Sequence, residues 1–304
     1  MRASDIENER SASPIVSICC VSYNQERFVA RALDGMIAQV TDFPFEILIY
    51  DDASTDRTPE IIRSYQEKYP RLINARLSTI NQFSRGVKTL RALSESATGK
   101  YIALCEADDY WTDPEKLAKQ IEWLEANPET VMVGHKVIAV DEQEQQIRWF
   151  TSRNPFNPRP QEKDFDQYAL RTLERVIPTC CRVFRNIPTK LPDEALPTRA
   201  GDAFLQVMLA EHGTYKYLET VSPSCYTVSE SGIWSSLDRV SELRQKSLLY
   251  AQVGHYLKRV GYTKEYRKLK LKRCALSIES LVLRALKALG LLPLMRIIKR
   301  RLTG

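Results

Sequence analysis

None of the eleven glycines forms a Gly-x-Gly-x-x-Gly, so the phosphate cradle of a dinucleotide-binding turn is missing. Gly99-Lys100 lacks both the upstream glycine and the following Ser or Thr of a P-loop, and Asp52-Ala53-Ser54 lacks the second carboxylate of a phosphoaspartyl hydrolase. The three histidines, His135, His212 and His255, are scattered and read as structural or surface residues; no stretch has zinc-site spacing. Seven cysteines include no Cys-x-x-Cys, and the neighbours Cys19-Cys20 and Cys180-Cys181 rarely bridge one another, so free thiols in a reducing compartment are expected. Residues 1–13 have no hydrophobic run of the signal-peptide kind and are expected as a polar tail. There is no internal repeat and no low-complexity tract.

What is present is ordinary globular composition in 304 residues, enough for one large domain or two modest ones. The net charge of +6 is unevenly spread. Residues 258–304 hold fourteen Lys and Arg against Glu265 and Glu279, a net of +12, which leaves −6 for the rest. A mildly acidic body with a basic end points to an anionic surface as partner, phospholipid or nucleic acid.

The chain is organised around residues 101–117, where the apolar run 101–105 leads into Asp108-Asp109 and then into Asp113-Pro114, an N-cap followed by proline at the first helical position. Leu117, Ile121 and Leu124 recur at helical spacing until Asn127-Pro128. Strand, polar turn and helix repeat elsewhere. The apolar run 15–21 ends in Ser22-Tyr23-Asn24-Gln25-Glu26 and a helix carrying Phe28, Val29, Ala32, Leu33 and Met36; residues 45–50 end in Asp51-Asp52, with Thr58-Pro59 opening the next helix. Residues 72–77, 131–140 and 175–184 read as further strands, 86–97 as a helix and 154–163 as a long loop. This alternation predicts an α/β fold, a mostly parallel central sheet with helices on both faces. The carboxylates Asp51, Asp52, Asp108 and Asp109 fall at strand ends, where open α/β sheets bind ligands. Adjacent carboxylates repel unless a cation lies beside them, and a hard divalent ion is the usual answer; an isolated Asp-Asp is otherwise a solvated, helix-capping loop.

Residues 16–24, 49–56 and 106–114, with Gly201-Asp202 at a helix start, together resemble the family 2 glycosyltransferases with the A-type glycosyltransferase fold, over residues 14–235. The resemblance implies an inverting sugar transferase that uses a nucleoside diphosphate sugar, most often of UDP. It implies that Asp52 accepts a hydrogen bond from the base, with Val21, Tyr23, Asn24 and Glu26 lining the same nucleotide-binding edge. Asp108 would reach the ribose or the ion's water shell, Asp109 would ligate Mg2+ or Mn2+, and Arg85 would contact phosphate. Asp202 matches the catalytic base, which takes the proton of the acceptor hydroxyl as it attacks from the side opposite the leaving group. One departure concerns the family's Tyr-Arg-x-His, which here reads Tyr226-Thr227-Val228-Ser229, so the position of an additional histidine ligand is Ser229.

Beyond residue 235 the pattern is helical and basic. Residues 281–302 read as two short amphipathic helices meeting at Gly290 and Pro293, too often interrupted by charge to span a bilayer. The expected partners are thus a sugar nucleotide, a saccharide acceptor carried on lipid, an anionic membrane surface and a possible second copy of the chain, with no nucleic acid. The expected location is cytoplasmic, on the inner face of the membrane. Two other classes share parts of the pattern: a sugar nucleotidyltransferase, which would carry a glycine-rich first loop, and a non-catalytic nucleotide-binding module, which would release no nucleoside diphosphate.

Overall fold

The computed structural model describes residues 1–8, 13–86, 93, 96–147, 163–187, 192–195, 200–229 and 237–289. Three early strands, β1 (Val16–Ser22), β2 (Phe45–Asp51) and β3 (Ile73–Leu77), alternate with helices α2 (Val29–Ile37) and α3 (Thr58–Lys68), after a short α1 (Ala3–Asn8). β4 (Tyr101–Leu104) leads through the acidic turn to α4 (Lys116–Ala126) and β5 (Thr130–His135). After β6 (Val137–Val140) and α5 (Gln167–Arg171) come β7 (Val183–Arg185), α6 (Gly201–Leu209), β8 (Thr214–Leu218), β9 (Ser224–Thr227), α7 (Arg239–Arg259) and α8 (Thr263–Ala288).

Seven strands form one sheet in the order β3-β2-β1-β4-β7-β5-β8. Only β7 runs against its neighbours; the other pairings are parallel, as the alternation predicts. β1 and β4 are buried almost throughout because both faces of a parallel sheet are covered. The chain steps outward from β1 to β2 and β3, then returns to place β4 on the other side of β1. That reversal opens a crevice at the carboxyl ends of β1 and β4.

Several local expectations are corrected. Residues 131–140 are two strands in two sheets: exposed Lys136 turns the corner, and β6 pairs in parallel with β9. Residues 175–184 are a strand only from Val183, because Pro178 and a 3-10 turn at Thr179–Cys181 come first and proline supplies no ladder N–H. The helix expected to open at Pro114 begins at Lys116, where the buried Gln39 on the far side accepts the Leu117 N–H at 3.0 Å. Residues 1–8, expected as a tail, include α1; its Ala3 is buried and Met1 O accepts the Thr41 N–H. Most of the helix expected at 86–97, the loop at 154–162 and the domain boundary at 235 lie outside the described residues.

The C-terminal helices do not hang free. Phe204, Val207 and Met208 of α6 share an apolar core with Leu249, Val253, Tyr256 and Leu257 of α7 and Leu269 of α8. A buried ion pair, Arg171 to Glu265 at 3.1 Å, adds a second tie. The first of the two expected helices runs unbroken within α8 to Ala288, and residues 290–304 lie outside the described residues.

Candidate functional site

The carboxyl ends of β2, β1 and β4 bring the acidic turns to one edge. The first two are stitched together. Asn24, held at φ 53°, accepts the Thr55 N–H at 2.8 Å through Oδ1; Glu26 accepts the Arg57 N–H at 3.0 Å, and its own N–H donates to Asp56 at 3.0 Å. Asp51 accepts from the Ser22 hydroxyl and the Ser54 N–H, 2.8 and 2.9 Å. Asn24 and Glu26, expected at the nucleotide, therefore spend the polar atoms named here on the loop itself. Val21 O accepts the Ala107 N–H at 3.1 Å, and Tyr23 stands exposed beside it.

Asp52 is buried and holds the next loop, accepting the N–H groups of Gln82 and Phe83 at 2.7 and 2.9 Å, one on each oxygen. These bonds draw the 3-10 turn Phe83–Arg85, and with it the exposed Arg85, onto the carboxyl end of β2. A carboxylate accepts more than two hydrogen bonds, so lone pairs remain for a ligand.

At the end of β4 one oxygen from each of Glu106, Asp108 and Asp109 lies within 4.8 Å of the others. Asp109 is buried; its Oδ1 accepts the Thr227 N–H at 2.9 Å, while its buried Oδ2 has no hydrogen-bond partner among the described residues, only the weak thiol donor of Cys180 nearby. Thr227 also donates its hydroxyl to Asp108 O at 2.5 Å, and Tyr110 and Cys225 exchange backbone bonds, so β9 is laced to the acidic turn. Arg31 of α2 stacks 4.0 Å from the Tyr110 ring and donates to the Thr227 hydroxyl at 3.2 Å. Burial, then the neighbouring charges of Asp108 and Asp202, pushes Glu106 up to about 8. Burial likewise pushes Asp108 up to about 6 and raises Asp109 well above the carboxylate range. Desolvated, mutually repelling carboxylates with an orphaned buried oxygen fit a divalent cation.

Asp202 occupies the first turn of α6 without capping it; Ala200 is the cap residue. The wholly buried Arg182 donates to Asp202 Oδ2 at 3.1 Å and to its backbone O at 3.1 Å. Among the described residues Oδ1 of Asp202 accepts no hydrogen bond, and the Asp202 side chain is 28% exposed. Thr179 donates to Glu106 at 3.3 Å, so the segment carrying Arg182 also touches the acidic cluster. Glu106, Thr227, Arg31 and Arg182 were all missed as site residues by sequence reading. The available signals are the position of Glu106, two before Asp108, and that of Thr227 within the segment matching Tyr-Arg-x-His.

The profile of glycosyl transferase family 2 matches residues 17–189, more than half of the chain. The chain belongs to that family. An uncharacterized protein of Mycobacterium tuberculosis is 38% identical over 225 residues, 73% of this chain and 61% of that protein, so the chain spans about three-fifths of this curated relative. Among solved structures, the family member is similar to Staphylococcus aureus TarS in complex with UDP-GlcNAc, TM-score 0.54 at 18% identity, over 78% of this chain and 66% of that one. It is also similar to the mannosyltransferase PcManGT of Pyrobaculum calidifontis with GDP-Man and Mn2+, TM-score 0.59 at 19% identity, over 99% and 85%. At these identities the structural likeness establishes the A-type glycosyltransferase fold.

The acidic cluster gives a pH-dependent prediction. Glu106 and Asp108 are raised from 4.5 and 3.8, so the folded chain holds their protons more tightly than the unfolded chain. Their contribution to stability is complete at low pH and is lost as pH rises through about 6 and about 8. A cation bound by these carboxylates would compete with those protons, so Mn2+ is expected to raise the melting temperature more at pH 8 than at pH 6. Equal shifts, or a larger one at pH 6, in melts with and without Mn2+ would refute this.

Proposed function

We propose that this family 2 member is an inverting glycosyltransferase that moves a sugar from a nucleoside diphosphate sugar of the UDP class to a hydroxyl of a lipid-linked saccharide. The observation that carries the reading is the buried, unpartnered Oδ2 of Asp109 within a three-carboxylate cluster, with Asp202 held separately by Arg182 near the same cluster. Asp109, with Asp108 and Glu106, would hold Mg2+ or Mn2+. When bound, the cation supplies positive charge for the departing diphosphate. Asp52 offers its remaining lone pairs to the imide N–H of uracil, beside Tyr23 and Val21, and Arg85 reaches phosphate. Asp202 Oδ1 takes the acceptor proton as the new glycosidic bond forms; the bond to phosphate breaks, and the nucleoside diphosphate leaves with its electron pair. A single base suffices because no covalent intermediate is formed.

The test is a screen of sugar nucleotides with lipid-linked acceptors, read by product mass and by anomeric configuration. Release of no nucleoside diphosphate from any donor would reject the enzyme reading, and retained configuration would reject inversion.

The membrane part of the proposal is supported by α8. Leu271, Ile278, Val282 and Leu289 lie exposed on one helical face, and the α7–α8 groove is lined by Arg244, Arg273 and Arg284 among leucines. Among the described residues no helix is long and apolar enough to cross a membrane; the mode proposed for this helix is surface association. Each Lys or Arg near an anionic leaflet contributes about 1 kcal/mol. Deleting residues 280–304 is expected to release the protein from anionic vesicles while slow donor hydrolysis survives; unchanged sedimentation would show that this segment is not the anchor. The cytoplasmic face of the membrane is the location that this reading requires.

A further inference from the structure

The Arg182 side chain is entirely buried beside the proposed base, and its bonds are unusually specific for a side chain with no solvent contact. Nη2 donates to Ile177 O at 2.5 Å, Nε to Pro178 O at 3.3 Å and Nη1 to Asp202 O at 3.1 Å. Those carbonyls already occupy donors on all three nitrogens. The remaining bond, from Nη2 to Asp202 Oδ2 at 3.1 Å, takes one oxygen of a carboxylate that is otherwise open to the site. A fully desolvated guanidinium is costly to keep, and a buried ion pair replaced whole by apolar side chains often leaves stability unharmed. Its planar fork does something an apolar group cannot: it fixes both the main chain and the side chain of one residue.

The surroundings make that fork rigid. Arg182 O accepts the Leu104 N–H at 3.3 Å, so Arg182 sits at the end of β4 from which the acidic cluster departs. One turn along α6 from Asp202, the buried Gln206 accepts the Ile177 N–H at 2.9 Å and donates to Arg175 O at 2.8 Å. Asp202 and Gln206, four apart on one helical face, therefore both grip the 175–182 segment. Rotation of the Asp202 carboxylate would break the bond to Nη2. Oδ2 is thereby pinned and Oδ1 is left as the proton acceptor.

We propose that Arg182 is the positioning residue of the base, acting on transfer only through the orientation of Asp202 and not through the donor or the cation. The inference rests on the reading of Asp202 as base. The experiment is a double-mutant cycle: Arg182→Lys, Arg182→Met and Asp202→Asn singly, and each Arg182 variant combined with Asp202→Asn. Lysine keeps the charge and a donor for the carbonyls but loses the fork, and it carries the test if the methionine variant does not fold. With the natural Asp202, Arg182→Lys is expected to lower kcat for transfer by about 10–100-fold while donor KM and Mn2+ affinity stay within about twofold. On the Asp202→Asn background, the same substitution is expected to change kcat by less than about twofold. Losses that multiply, or a raised donor KM with unchanged kcat, would overturn the proposal and leave Asp202 as base. Near-normal transfer by Asp202→Asn alone would instead remove the base, and this inference with it.

Discussion

Asp202→Asn is expected to lower sugar transfer by ~10²–10⁴-fold, the range for loss of a general base, with sugar-nucleotide binding nearly unchanged. The substitution is well suited to the site. Asparagine keeps an oxygen where Arg182 Nη2 donates at 3.1 Å, so the buried guanidinium retains its partner and α6 its start. What is lost is the basicity of the free oxygen. The loss belongs in kcat, because in the proposed mechanism Asp202 accepts no proton until the acceptor attacks. Binding of the donor, measured by calorimetry, separates this from a disordered site. A well-folded variant with near-normal turnover would end the assignment.

Asp109→Asn is expected to abolish metal-dependent transfer, a loss of several kcal/mol of leaving-group stabilisation, or about 10³-fold in rate. Asparagine can still accept the Thr227 N–H, now held at 2.9 Å, so the lacing of β9 to the acidic turn survives while the charge disappears. An alanine would confound the two effects by stranding that buried donor. Excess chelator is expected to do to the natural protein what this substitution does, with Mn2+ or Mg2+ restoring turnover only where Asp109 is intact. With Ser229 at the position of a histidine ligand, Glu106, Asp108 and Asp109 are the cluster among the described residues that could hold an ion. Full turnover in chelator would mean that the three carboxylates serve some other purpose.

Membership of the family connects these tests to a fold in which the solved relatives carry different nucleotides, UDP-GlcNAc in TarS and GDP-Man in PcManGT. The fold alone therefore does not choose the base. In the proposed reading the choice of nucleobase falls to the edge formed by Tyr23, Asp52 and Arg85, and the donor screen tests it directly.

Much of the site was legible because its signals are local. An apolar run followed by Asp-Asp and a helix opening predicts β2 and β4 with carboxylates at their ends. Parallel pairing then brings Asp52 and Asp109 to one edge without any long-range information beyond strand order. The free thiols were legible in the same way; all seven cysteines are unbridged and six are buried. The chain's composition also separated the basic C-terminal helices from the acidic body.

Residues whose roles depend on chain direction were not legible. β7 is three residues long, and no periodicity in Val183–Arg185 says that it runs backward between β4 and β5. Because it does, its first end lies where the parallel strands finish, and Arg182 arrives at the site from a stretch that reads as plain strand. Thr227 reaches Asp109 for a similar reason: residues 131–140 change sheets at Lys136, and the resulting β6–β9 pair lies against the acidic turn. α6 shows the same limit, since its apolar side is covered by α7 and α8, which sequence places in a different region. Local pattern determined which segments are strands and where their carboxylates fall. Long-range hydrogen bonding and burial alone decided which distant arginine and threonine those carboxylates meet, because pairing partners are selected by the packed sheet and leave no mark in a short strand's own sequence.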